Sequence, residues 1–199
     1  MLKLFGNLTI RTKLYCTIGF GVAVLIIVGA SAAMNINSVQ KDWTDFLIVV
    51  QAKQVHLMHI RSQMGYGGGI HSFKNYVLRG QQKHFDTYQV RADEIIASIS
   101  DYRSVGHLSP VEVSSLEKLE EMVEVYRKAS IRAKQLLNQG KTIQEIDGDI
   151  KISDQPYLVA MSTLSDELDQ STSTRSSALS HRVRHTTVFL MAVIPVSIL

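Results

Sequence analysis

The chain of 199 residues has one cysteine, Cys16, and it lies in an apolar run. That excludes an internal disulfide, a thiolate zinc site and haem attachment through Cys-x-x-Cys-His. A basic excess is missing where a folded domain could use one. Lys plus Arg equals Asp plus Glu between residues 34 and 185, so the net charge of +3 comes from Lys3, Arg11 and Lys13. The basic character therefore does not point to nucleic acid, which needs a concentrated cationic face to displace counterions. There is no P-loop, no Rossmann glycine pattern following a strand and no Ser/His/Asp constellation. Period-two alternation of apolar and polar residues is absent too, so no strands are expected. Nothing calls for a cofactor, and none is expected.

What is present begins with hydrophobic length. Leu14 to Ala33 carries no charge and is almost wholly apolar or small. About 20 such residues are needed to cross some 30 Å of hydrocarbon as a helix. The preceding positive charge places residues 1–13 in the cytoplasm, 14–33 in the membrane and residue 34 onward outside. A cleaved signal peptide is the rival, because Ala30-Ser31-Ala32 fits a cleavage site. The length of the run and the second apolar stretch favour an uncleaved anchor. That second stretch, Thr186 to Leu199, reads as the start of a transmembrane helix cut short. Arg182 and Arg184 before it run mildly against the charge rule.

Between these runs apolar residues recur at spacings of three and four. Phe46, Val49, Val50, Leu57, Ile60 and Met64 make one stripe; Phe85, Tyr88, Ala92, Ile95, Ile96 and Ile99 a second. Leu116, Leu119, Val123, Tyr126, Ser130, Ala133 and Leu137 make a third, and Tyr157, Val159, Ala160, Leu164 and Leu168 a fourth. Ser109-Pro110-Val111-Glu112 reads as a capping box with proline in the first turn. Asn138-Gln139-Gly140 is a stop, Thr142 to Glu145 a second cap, and Asp154 the start of the last helix. The expected fold is all-α: an antiparallel four-helix bundle over residues 34–185, its first and last helices continuous with flanking transmembrane helices.

Several segments resemble one family. Ile10-Arg11-Thr12-Lys13-Leu14 with Gly19-Phe20 is similar to the N-terminus of bacterial methyl-accepting chemotaxis proteins and related sensor kinases and cyclases. Asn75-Tyr76-Val77-Leu78-Arg79-Gly80, followed by Phe85 and Tyr88, resembles the first corner of their periplasmic four-helix sensor bundles. Glu145-Ile146-Asp147 and Lys151 to Pro156 resemble the approach to the last helix. The resemblance implies a sensor region in the bacterial inner membrane, homodimeric, recognising a small molecule or a periplasmic binding protein and signalling by helix movement. It implies no catalysis within this chain. A membrane-anchored helical protein that only binds a partner is the alternative.

The densest chemistry lies at Met64 to Gly80. Tyr66, Gly67, Gly68, Gly69, His71, Lys74, Asn75 and Arg79 are the candidate ligand-binding residues. Glycines cost about 1 kcal/mol each inside a helix, which favours a turn at residues 64–69. A first helix running through to Arg79, with Gly80 as its stop, is preferred, because Ile70 to Leu78 is a good helical segment. Counting about 30 residues back from the second apolar run puts the start of the last helix level with the glycines. Lys74, Arg79 and that helix terminus would suit a carboxylate; close helix packing is the competing use of the glycines. His56 and His59 are spaced i, i+3, but no carboxylate partner is fixed, so no metal site is expected. His181 and His185, spaced i, i+4 beside arginines, read as a solvated or headgroup-facing pair.

Overall fold

The computed structural model describes residues 9–65 and 67–196, with the side chains of the last helix as far as Val188. Among the described residues six helices follow in order: α1 (Ile10–Met64), α2 (Gly69–Arg79), α3 (Gln82–Ser104), α4 (Pro110–Asn138), α5 (Ile143–Asp149) and α6 (Gln155–Val196). No strand occurs among the described residues. The chain divides into two compact units, Leu47–Thr172 and Met1–Phe46 with Ser173–Leu199.

In the unit Leu47–Thr172 the predicted stripes close on one core. Leu57, Ile60 and Met64 of α1 meet Tyr88, Ala92, Ile95 and Ile99 of α3, Leu116 to Ala133 of α4 and Tyr157 to Leu168 of α6. Phe73, Tyr76 and Val77 of α2 complete it. Packing against an apolar face, rather than helix propensity, supplies most of the stability of such helices. Val159 is the one predicted stripe residue that is exposed, with Met161 buried instead, while Val49 is half-buried and Phe46 falls in the other unit.

The pairings are antiparallel. From one end of α3 to the other, Phe85 packs on Tyr76, Tyr88 on Phe73, Arg91 on Gln63, and Tyr102 lies under Lys53. Along α4, Glu112 meets Tyr102, Arg127 meets Asp93, and Lys134 covers Phe85. Four helix ends carry their own stops and starts. Ser109 and Thr142 form complete capping boxes with Glu112 and Glu145. Gly80 closes α2 in the left-handed conformation, its N–H donating to the Tyr76 carbonyl. Gly140 follows α4 with φ 75°.

The first helix does not run unbroken to Arg79. It stops at Met64 and restarts at Gly69. Nor do the glycines form a corner between two bundle helices, because α1 and α2 face the same α3 in the same sense. Twenty-four residues, 53 to 76, span what α3 covers with eighteen, 85 to 102. At 1.5 Å per residue the six-residue excess is about 9 Å of rise, which the break takes up. The reason is steric. A Cβ on Gly68 would lie 2.9 Å from the Ser62 carbonyl oxygen and collide with that of Gln63, so the backbone passes itself more closely than any side chain permits.

In the other unit, α1 and α6 also run antiparallel. Trp43 stacks on Phe46, and Arg175 sits 5.4 Å over the Phe46 ring. Val39 shares a groove with Arg182, and Asn35 shares one with Val183 and Thr186. α1 is long and apolar enough to cross a membrane: one 18-residue window has mean hydropathy 2.2 and none of it is buried. Residues 1–8 of the expected cytoplasmic tail and residues 197–199 of the second apolar run lie outside the described residues.

Candidate functional site

Of the residues nominated from the sequence, Tyr66 lies outside the described residues. Gly68 and Gly69 are buried, whereas Gly67, His71, Lys74 and Arg79 are exposed and Asn75 is half-buried. They do not converge on one point. Lys74 turns toward the start of α6, where its Nζ lies 3.6 Å from Asp154 Oδ2. His71 and Arg79 instead contribute to the field around His84, in the first turn of α3.

The start of α6 does lie level with the glycines. Asp154 faces Lys74 above the break, and one turn further along Tyr157 feels the charge of Arg61 below it. A carboxylate of the chain already stands at this terminus. Asp154 accepts a hydrogen bond from the buried Tyr126 hydroxyl and pairs with Lys74. The chain thus supplies its own carboxylate where the sequence would also suit an external one. Tyr157 is buried among the core residues and its hydroxyl has no hydrogen-bond partner among the described residues. Burial pushes its pKa up to about 12, against the opposing pull of Arg61. So the phenol stays a neutral donor aligned with the break.

The covering segment 140–155 is held from α4. Arg132 donates to Asp149 at 2.8 Å, and Ile146 on the inner face of α5 is fully buried. At the corner that joins α2 to α3, His84 has its pKa lowered by burial first, then by Lys83, Arg79 and His71. Arg79 and Lys83 at that corner thus disfavour a charge on the His84 imidazole.

The most highly organised polar group was not nominated. Lys53 on α1 donates to both oxygens of Glu112 at 2.9 and 3.1 Å and to the His107 carbonyl at 3.0 Å. Tyr102 donates to Glu112 Oε1 at 2.6 Å, and the Ser109 N–H donates to Oε2 at 2.8 Å. Lys53 and Glu112 are 4% and 3% exposed, so this is a charge pair inside the core. Burial pushes the Glu112 carboxyl up, but the hydrogen bonds from Tyr102, Lys53 and Ser109, with the Lys53 charge, hold it below the usual range. The corner it fastens is conformationally unusual: Gly106 has φ 81° and His107, without glycine's freedom, φ 52°. One signal could have exposed it. Lys53 occupies a stripe position, three after Val50 and four before Leu57, where an apolar residue belongs.

No protein-family model matches the chain, and neither a curated protein nor a solved structure matches it. The functional reading therefore stands on the residues and their placement.

Proposed function

We propose that this chain is the extracytoplasmic sensor portion of a transmembrane chemoreceptor similar to methyl-accepting chemotaxis proteins. In this reading α1 with α2, α3, α4 and α6 form an antiparallel four-helix bundle outside the bacterial inner membrane, spanning residues 34–185. It acts as a homodimer and passes a shift of its helices through the membrane. A small molecule or a periplasmic binding protein is the stimulus.

One observation carries the reading. The helix with the apolar window, α1, also contributes Val50, Leu57, Ile60 and Met64 to the buried side of the Leu47–Thr172 unit. α6 likewise contributes Tyr157, Ala160, Leu164 and Leu168 to that core and continues into the second apolar run. A movement of either helix in the core therefore has no loop in which to dissipate. Packed helices switch between discrete arrangements rather than deforming continuously. The level of the glycine break, where Lys74, Asp154 and Tyr157 gather, is the place at which a ligand would bias those arrangements.

The test has two arms on the full chain. Alkaline phosphatase fused after Gly140 is expected to be active, and fused after residue 9 inactive; the reverse pattern sinks the topology. Purified in nanodiscs, the protein is then melted against a panel of small carboxylates and amines. A ligand is expected to raise Tm, and the shift to vanish in the His71→Ala, Lys74→Ala double variant. A shift that survives both substitutions removes this level of the bundle as the site.

A further inference from the structure

One pair of side chains is arranged for chemistry that the sensor reading does not use. His181 and His185 stand one turn apart on α6, both exposed. Their ring centroids are 5.3 Å apart and their planes inclined by 32°. Two imidazoles bound to one tetrahedral ion, each through nitrogen at about 2.0–2.1 Å, place their ring centres about 5 Å apart. The rings therefore already have the separation of a chelate, and only rotation about the side-chain torsions is needed to aim one nitrogen of each at a shared point. A helix fixes the two Cα atoms, so little order has to be imposed on binding.

The surroundings select the ion. Arg182 and Arg184 flank the pair, and no carboxylate borders the groove beside His185, which Ser31 and Asn35 line from α1. Calcium and magnesium require several oxygen ligands, usually charged, and are not served here. Neutral imidazoles suit the borderline transition metals. Among the described residues no group of three or more His, Cys, Asp and Glu is placed to hold a metal. The chain thus offers two protein ligands and leaves the remaining positions to water.

We propose that His181 and His185 form a two-imidazole chelate for a borderline divalent transition metal, Zn²⁺, Ni²⁺ or Cu²⁺. The metal closes a ring across one turn of α6 and stiffens the helix just before the second apolar run. Its exchange is open to solvent. This inference does not depend on the sensor reading.

The experiment uses the full chain without a polyhistidine tag, in nanodiscs. Titration with ZnCl₂, NiCl₂ and CuCl₂ by calorimetry is expected to give one saturable site per chain, tightest for Cu²⁺ as the general affinity order of divalent metals requires. CaCl₂ is expected to give none. His181→Ala or His185→Ala should each weaken binding at least tenfold, while the His56→Ala, His59→Ala double variant, which removes the pair spaced i, i+3 on α1, should leave it unchanged. Electron paramagnetic resonance of the Cu²⁺ complex is expected to report two imidazole nitrogens, falling to one in either single variant. Because both rings are exposed, circular dichroism of the apo variants should match the parent. Absence of saturable binding, equal binding by the His181→Ala, His185→Ala double variant, or loss of the site on changing His56 and His59 would each overturn the proposal.

Discussion

Lys53 and Glu112, 59 positions apart, form an ion pair of 2.9 Å in which both side chains are within about 5% of complete burial. Every strong acceptor site on the carboxylate that the structure describes is used: Lys53 and Tyr102 on Oε1, Lys53 and the Ser109 N–H on Oε2. Such a pair gains little over an apolar replacement of equal volume, but removing one partner strands the other charge. Its value here is positional. It fastens the α3–α4 corner to a fixed height on α1.

Lys53→Met is therefore expected to cost about 3–5 kcal/mol in urea unfolding at neutral pH. The Lys53→Met, Glu112→Gln double variant should recover more than half of that, because no charge is left buried. The pH dependence has a definite sign. The Glu112 carboxyl is lower in the folded protein than in the unfolded chain. Its contribution is present above the unfolded value, roughly 4.3, and is lost as pH falls through the folded one. In Lys53→Met that acid-side loss should begin at a higher pH than in the parent, since a lowering influence has gone. A parallel acid profile in the two proteins would contradict the role given to the pair.

At the glycine break, substitution tests whether the backbone or the side-chain space is limiting. Gly68 has no room for a Cβ against the Gln63 and Ser62 carbonyls, which are backbone and cannot rotate away. Gly80 has room beside Leu137 at 3.6 Å but lies at φ 63°. Gly80→Ala is expected to cost about 1–2 kcal/mol, the left-handed penalty for an ordinary residue. Gly68→Ala must move chain and should cost about 1–3 kcal/mol, with loss of the Arg91–Gln63 contact visible as a shifted Arg91 side-chain resonance. Equal stability of parent and Gly68→Ala would mean the break is not sterically required.

Much of the helical order was legible in the sequence, because its signals are local. The Ser109–Glu112 and Thr142–Glu145 caps and the Gly80 stop act within one turn, and each stands where it was expected. The stripes through Tyr88 to Ile99 and Leu116 to Ala133 are likewise periodic and buried, with Ile96 alone half-buried. What could not be read depends on partners distant in sequence. Lys53 in a stripe could equally have been a solvated edge until His107 and Glu112 were brought beside it. Lys74 could be set against a ligand or against the loop carboxylates Asp147, Asp149 and Asp154, and nothing local decided that Asp154, 80 positions later, would meet it. The glycine run was ambiguous for another reason: propensity says that the helix breaks, but only the common neighbour α3 says that the chain resumes in the same direction.

Asp154 serves two helices at once, and substitution separates its roles. The Tyr126 side chain is 1% exposed and donates to it, whereas Lys74, with its side chain 62% exposed, pairs with it at 3.6 Å. Asp154→Ala strands a buried hydroxyl and should cost about 1–3 kcal/mol. Asp154→Asn keeps an acceptor and should recover most of it. Lys74→Ala removes only an exposed pair and should cost under about 1 kcal/mol. If Lys74→Ala proved the more damaging in thermal melts, the ion pair rather than the tyrosine contact would be what secures the start of α6.

The covering segment should be the first part of the Leu47–Thr172 unit to loosen in acid. Glu145 closes the α5 cap and is held at about 2, first by the hydrogen bond from Lys141, then by those from the Thr142 N–H and hydroxyl. Asp149, at the other end of α5, is also lowered, through its hydrogen bond with Arg132. A depressed carboxyl stabilises the fold above its unfolded value and loses that contribution as pH falls toward the folded one. For Glu145 the window runs from about 4.5 down to about 2. Ile146, the fully buried residue of α5, reports on the change. In hydrogen exchange of the full chain, protection of the Ile146 amide is expected to fall between those pH values, while Tyr88 and Val123 in the core remain protected. Lys141→Ala removes the largest lowering influence, so the same loss should appear at higher pH. Simultaneous loss of protection at Ile146 and Val123 would show that α5 does not open on its own, and that the covering segment is as firmly held as the core it covers.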